Sequence, residues 1–460
     1  MKNGSRRLLW MVIPLSALLL CSCDLHKKLA KVHYDQGVKK LAAENNAGAL
    51  EEFSSAIAQD PGLFSAYIYR AGIQYSFSNF TAAVKDYDQA ILLNSGSAGA
   101  YLGRGMALQM LHDSDGAVTN YSQAITLDPE EGAAYKYRGA IRITLRDWDA
   151  ALADLNDAVR LSPDDPEAYT ARASLQYMRR EYEASMADAT QSIALNGTNA
   201  MPYRIRGFGK VRLKDFPGAL ADFDEALRLN PHDADVFAGR GSVRVAQGDY
   251  DAARADLNIA TQLNPTNLTV MATLAFVQKK TGDLPGALAT ATKIVALVPK
   301  LPEAYQTLGN VQNDLQQYAP ALASMRKAVE LDSKMYYPRF RIWLIRARLG
   351  ETAAATTELA ANLKEREGED GHGWQLCITR FLVGDLNEAD FLAQSGPTAV
   401  RPTDEAGQLC EAYYYAGMKR LFAGDKAGAG ELFGKCLATG QDNYAEYASA
   451  VVELRELKKP

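Results

Sequence analysis

Small and apolar residues recur along the chain at a fixed interval. Shifting the sequence by 34 residues carries Gly139 onto Gly37, Ala71, Gly105, Ala173, Gly207, Gly241, Ala275 and Gly309. Twelve residues beyond each stands a second small residue, among them Ala83, Ala117, Ala151, Ser185 and Ala219, and seven further on a third, as at Ala90, Ala124, Ala158 and Ala226. Proline closes many units, at Pro61, Pro129, Pro163, Pro231, Pro265 and Pro299. The copy from Gly132 to Pro163 reads as two helices. The first runs to about Leu145, and Asp147 is placed to cap the second, since its carboxylate can accept from the free amides of the opening turn. Asn79, Asp215, Asp249 and Asp283 hold the same position. Small residues where the helices cross let the backbones approach. Aromatics fill the space around them: Tyr67, Tyr101, Tyr135, Tyr169 and Tyr203 on the first helix, Phe80, Trp148, Tyr182, Phe216 and Tyr250 opening the second. A strict period of this length predicts stacked helix pairs, none of which buries its apolar face alone. The 460 residues therefore read as one elongated array with a continuous core.

This pattern resembles the tetratricopeptide repeat (TPR) family over most of the chain. The resemblance implies an all-α fold, an α-solenoid in which helix-turn-helix repeats wind into a right-handed superhelix. Ten repeats are expected over 30–368, with a degenerate eleventh at 369–394, where Cys377 and Ala389 continue the frame. The stretch SGPTAVRPTDE holds two prolines and a glycine, so a loop is expected over 395–409. A twelfth repeat, at 410–442, restores the pattern in a shifted frame, and 443–460 reads as a polar helix capping the last apolar face.

Arginine recurs just before the small residue of the first helix, at Arg70, Arg104, Arg138, Arg172, Arg206 and Arg240. Sixteen residues later come Asp86, Asn120, Asp154, Asp188, Asp222 and Asp256. Where the arginine gives way to Leu274 or Leu308, the later position becomes Thr290 or Ser324. Positions that switch together are expected to pair across the two helices, because a lone half-buried charge there is costly.

The N-terminus carries a different signal. Lys2, Arg6 and Arg7 precede an apolar run, Leu8 to Leu20, too short for a comfortable membrane span; this is the layout of a secretory signal over 1–22. Leu20-Cys21-Ser22-Cys23 resembles a bacterial lipobox, which implies a diacylated Cys23 holding the chain on a lipid bilayer by a tether at 23–29. Cys21 is preceded by Leu20, too bulky for that cleavage position. An ordinary cleaved signal with incidental cysteines is the alternative. Asp24 resembles the signal that keeps lipoproteins in the inner membrane of enterobacteria, which favours the periplasmic face of the inner membrane over the outer membrane.

A net charge of −5 and a pI near 5.7 offer no basic face to nucleic acid. Cys377, Cys410 and Cys436 have neither a disulfide framework nor metal-ligand spacing; Cys436 and Cys377 occupy packing positions. His33 takes an aromatic packing position. His372 near Cys377 and Cys410 is the nearest approach to a catalytic constellation, and it lacks an acidic partner and an oxyanion loop. No enzyme and no cofactor are expected.

What remains is the face that first helices line in proteins of the TPR family, a concave groove that holds an extended peptide or a partner helix. The resemblance places Ile68, Tyr75, Leu102, Met106, Met110, Ile143, Tyr177, Met178, Phe208, Val211 and Val245 there, with Arg212, Lys279 and Lys280 adding positive charge. The stripe is apolar and adaptable. The competing account is that these residues pack between repeats. The carboxylate clamp of chaperone-binding members is missing, since Lys136 is followed by Ala140 and Ile143. The expected function is a non-catalytic, lipid-anchored scaffold that recruits other envelope proteins; the alternative is a structural subunit whose groove is filled by its own kind. The sequence leaves the oligomeric state open.

Overall fold

The computed structural model describes residues 15–364, 373–395, 405–441 and 444–458, with side chains from Leu25 onward. Among these residues the chain forms 25 helices and no strand. They group into two compact units, Met1–Pro231 and His232–Pro460, where the period alone suggested one array.

The first unit pairs α1 (Leu15–Ala42) with α2 (Asn46–Gln59), α3 (Phe64–Ser76) with α4 (Phe80–Leu93), and α5 (Ala98–Met110) with α6 (Ser114–Leu127). It continues with α7 (Gly132–Thr144) and α8 (Trp148–Leu161), α9 (Pro166–Met178) and α10 (Tyr182–Leu195), α11 (Ala200–Arg212) and α12 (Phe216–Leu229). The second unit holds α13 (Ala234–Ala246) with α14 (Tyr250–Leu263), α15 (Leu268–Lys280) with α16 (Leu284–Leu297), and α17 (Pro302–Asp314) with α18 (Tyr318–Leu331). It ends in α19 (Tyr337–Arg348), α20 (Thr352–Lys364), α21 (Gly373–Val383), α22 (Glu388–Gln394), α23 (Glu405–Phe422), α24 (Lys426–Ala438) and α25 (Ala445–Leu457).

The helices are set by the same few residues in each copy. Asn45, Asp113, Asp215, Asp249, Asp283 and Asp425 accept an amide from the first turn of the second helix. Asn79 and Asp147, expected to do the same, make no side-chain cap. Between the helices of a pair one residue adopts the left-handed conformation, at Glu44, Ser78, His112, Arg146, Arg180, Lys214, Gly248, Gly282, Gln316 and Gly350. These stand at the repeat interval of 34 residues, so the turn is as periodic as the core.

At the helix crossing the small residue faces a side chain sixteen positions later on the second helix. A Cβ on Gly105 would stand 2.6 Å from the Tyr121 ring, and one on Gly207 2.7 Å from the Phe223 ring. Where the first position is Ala173, its partner shrinks to Ala189 and both are fully buried. The two sizes are complementary because the interior is close-packed.

The expected tether, 23–29, falls within α1, with no proline after Pro14 to interrupt the helix before Pro61. Residues 1–14 and the Cys23 side chain lie outside the described residues, as do His372 and most of the expected loop, whose last residues begin α23 at Glu405. No helix among the described residues is long and apolar enough to cross a membrane.

Candidate partner-binding surface

The recurrent arginines are fully committed inside the fold. Arg138 donates from Nε and Nη2 to the two oxygens of Asp154 at 2.9 and 2.7 Å, and from Nη1 to Ser122 Oγ on the preceding pair at 3.0 Å. The same fork joins Arg70 to Asp86, Arg172 to Asp188, Arg206 to Asp222 and Arg240 to Asp256. Arg104 donates instead to the Asn120 amide oxygen and to Asp88. Each guanidinium also lies 5.4 to 5.8 Å from the ring three residues before it, a cation–π contact that consumes its remaining face. The sequence missed a second donor: Arg142, Lys210 and Arg244 also reach Asp154, Asp222 and Asp256. Where the arginine is lost, that same position becomes glutamine, and Thr290 and Ser324 donate to Gln278 and Gln312 at 2.9 and 2.7 Å. Gln74 and Gln176 hold that position beside Arg70 and Arg172, so the switching itself is confined to the arginine and aspartate positions.

The expected groove residues of the first unit divide into two sets. Ile68 and Tyr75 pack around Ala71, Ala83, Tyr87 and Ala107; Leu102 and Met106 pack around Ala117, Tyr121 and Ile141; Ile143 packs on Leu155 and Leu175. Tyr75 meets Phe80 edge-on at 5.3 Å, and burial pushes its phenol above the usual range. Tyr177 and Phe208 are half-buried with their rings 6.4 Å apart, and Val211 is half-buried. For these the packing account holds. The residues one position further along, at the ends of the first helices, remain free of that core: Met110 is 47% and Met178 44% exposed. Ser76, Thr144 and Arg212 share their position and their exposure. A hydrogen bond to Tyr177 raises the Arg212 guanidinium further above its ordinary value.

The second unit carries the same face, and there it is covered. Its matching positions are Ala246, Lys280, Asp314 and Arg348, of which the last three are only half-exposed. The cover is α25. It packs on α23 and α24, and its other side meets first helices across a cleft lined by Phe276, Lys279, Lys280, Asp314, Tyr447 and Val451. Lys279 is tied to Asp314 at 2.8 Å, and Lys280 lies 5.4 Å from the Phe276 ring and 6.0 Å from that of Tyr447. Val245 packs with Leu257 and Leu274.

Two carboxylates fasten this helix. Glu446 receives Arg341 Nη2 at 3.4 Å and the Tyr415 hydroxyl at 3.2 Å, while Arg341 Nη1 donates to Tyr414 and Ser449 at 3.2 Å each. Glu453, one heptad on, pairs with Arg348. Arg341, Glu446 and Glu453 are 5%, 3% and 8% exposed. Burial pushes the Glu453 carboxyl above the ordinary carboxylate range, with Arg348 pulling part of the way back. The C-terminal helix, expected as a polar cap, directs these carboxylates inward, where Arg341 and Arg348 compensate them. The spacing of Glu446 and Glu453 is visible in the sequence. Their partners, 105 residues earlier in the chain, are not.

Other candidates resolve into structure. Lys136 is held by Asp165 and Glu167. His33 bonds Glu52 through Nδ1 at 2.8 Å, a polar contact where an apolar filler was expected. Cys377 donates to Gln394 Oε1 and is separate from the Cys410–Cys436 contact, at 3.3 Å. Among the described residues no group of three His, Cys, Asp or Glu is placed to hold a metal.

Profiles described as tetratricopeptide repeat match residues 34–101, 102–166, 141–200, 210–267, 244–310 and 302–335. No curated protein sequence matches the chain. Among solved structures, a tetratricopeptide repeat protein from Parabacteroides merdae is 17% identical, with 55% of this chain and 99% of that one aligned at a TM-score of 0.43. PilF of Pseudomonas aeruginosa is 18% identical over 48% and 99% of the two chains, TM-score 0.43. YrrB, described as having an unusual peptide-binding site, is 17% identical over 41% and 96%, TM-score 0.36. At these identities the likeness is one of fold. With repeat profiles running from 34 to 335 over the helix pairs described above, the chain belongs to the tetratricopeptide repeat family and is a protein–protein interaction scaffold of all-α solenoid architecture.

Proposed function

We propose that this scaffold is non-catalytic, held on the bacterial cell envelope by an acylated Cys23, and that it recruits envelope proteins by seating a partner helix on the first-helix face of its N-terminal unit. The observation that carries this reading is α25. In the second unit a helix already lies over Lys280, Asp314 and Arg348, and the repeat interval makes Met110, Thr144, Met178 and Arg212 the corresponding positions of the first unit. An exposed row that a helix covers elsewhere in the same chain is suited to a helix of the same kind. Two exposed methionines adapt to varied side chains, and each apolar anchor buried on them contributes on the order of 1.5 to 3 kcal/mol. The periplasmic face of the inner membrane is the location that Asp24 favours.

The test pairs two variants of the anchored chain. Met110→Glu with Met178→Glu should abolish capture of partners by crosslinking at the membrane and leave the helical signal intact, because both residues lie outside the inter-repeat core. Gln89→Arg with Gln191→Arg, exposed positions on second helices, should leave capture unchanged. Loss of capture in the second pair and not in the first would refute the assigned face. Cys23→Ser should move the chain from the membrane fraction to the soluble one; retention at the membrane would refute the anchor. A second reading, a subunit that fills this face with α25 of another copy, is favoured by the same helix and predicts that the wild-type chain elutes as an oligomer.

A further inference from the structure

Cys410 and Cys436 stand 26 residues apart with no motif to join them, yet α23 and α24 bring their sulfurs to 3.3 Å. Both are fully buried. We propose that Cys410 and Cys436 are a disulfide-forming pair that staples α23 to α24 beneath the first turn of α25. Bonded sulfurs lie about 2.05 Å apart, so closure needs an approach of roughly 1.3 Å between neighbouring antiparallel helices. The third described cysteine, Cys377, has Gln394 as its partner and takes no part.

The two sulfurs are not equivalent. Either sulfur can be the donor across their contact, the Thr439 hydroxyl donates to the Cys436 carbonyl, and the Tyr447 amide donates to Cys410 alone. The Cys436 hydrogen bond outweighs burial and holds the Cys410 thiol below its usual range, while the same contact and burial push Cys436 up. Tyr447 lies in the first turn of α25, whose unpaired amides favour an anion at that point. Cys410 is thus the attacking sulfur and Cys436 the resolving one.

The oxidant is a disulfide of the thiol-exchange class, R–S–S–R. Cys410 thiolate attacks one of its sulfurs, forms a mixed disulfide and expels RS⁻. Cys436 then gives its proton to RS⁻ and attacks the Cys410 sulfur, expelling the second RS⁻, which takes up the proton that Cys410 released on ionising. Two protein thiols and one R–S–S–R yield one protein disulfide and two R–SH. Because both sulfurs are buried, the exchange takes place while the unit folds or while α25 is lifted. Only the setting rests on the envelope reading, since an oxidising compartment preserves such a bond.

The full chain, purified in detergent, is unfolded under reduction and refolded with oxidised and reduced glutathione, then mapped by mass spectrometry without reduction. A Cys410–Cys436 linked peptide is expected, with Cys377 still alkylated as a free thiol. The melting temperature of the oxidised chain should exceed that of the reduced one by roughly 5–10 °C. The double variant Cys410→Ser, Cys436→Ser should melt with the reduced chain and ignore the redox buffer. Native protein warmed with oxidised glutathione gives the same readout without refolding. Recovery of Cys410 and Cys436 as separate free thiols in protein with native helical signal, by either route, would overturn the pair, as would linkage of either one to Cys377. If the bond forms in vitro but cells trapped with alkylating reagent yield the free thiols, the pair stands and the export reading fails.

Discussion

Replacing Asp154 by alanine should loosen one repeat by an amount the geometry allows to be worked out. The carboxylate accepts three charge-assisted bonds, from Arg138 Nε and Nη2 and from Arg142 Nη1. Alanine removes both acceptor oxygens, and with them all three bonds, and leaves two guanidiniums whose side chains are 15% and 23% exposed. Breaking a fully buried pair costs about 3–5 kcal/mol. These arginines keep part of their surface wet, and Arg138 retains Ser122, so the lower end, about 3 kcal/mol, is expected. The triple variant Arg138→Leu, Arg142→Gln, Asp154→Thr rebuilds the arrangement of Leu274, Gln278 and Thr290, in which the hydroxyl donates to the glutamine and no charge is stranded. It should cost no more than about 1 kcal/mol, the scale of an ordinary hydrogen bond. Because the loss falls on one repeat, the assay is native-state hydrogen exchange on α7 and α8. Asp154→Ala should speed their slowest amides roughly a hundredfold, at about 1.4 kcal/mol per factor of ten. Acceleration below twofold, or an equal loss in the triple variant, would refute the pairing as the source of stability.

Gly207→Leu should destabilise the first unit by about 1–3 kcal/mol through overpacking on Phe223, and Phe223→Ala alone by about 3–5 kcal/mol through a cavity. Combined, the two should cost clearly less than their sum in thermal melts; strict additivity would show that the side chains do not share one space. The first helix pair should be acid-sensitive. Hydrogen bonds from His33 and Lys40 hold Glu52 below its usual value near 4.5, so its contribution is complete above that pH and is lost as pH falls through the lowered one. Amide exchange in α2, corrected for the intrinsic pH dependence, should show protection falling below pH 4.5 in the wild type but not in Glu52→Gln. A parallel fall in both would assign the sensitivity elsewhere.

The period of 34 residues determined the helix pairs by itself, because each pair is made by nearly the same residues and touches mainly its neighbours. The arginine–aspartate coupling was legible for the same reason, since both partners lie within one repeat and vary together. The second donors at Arg142, Lys210 and Arg244 occur in only three of the six arginine copies, with Gln74, Leu108 and Gln176 in the others, so no covariation pointed to them. Sequence could not apportion the apolar stripe. Met106 and Met110 lie one helical turn apart on α5, yet the first packs on Ala117, Tyr121 and Ile141 while the second is exposed. Contacts that cross the period lay beyond it altogether. Arg341 meets Glu446, and Arg348 meets Glu453, across 105 residues, so no repeat spacing announces either. Only the packing of α25 on α23 and α24 carries Glu446 and Glu453 to the arginines of α19, because a long-range contact is set by the packing of whole helices and leaves no interval in the chain.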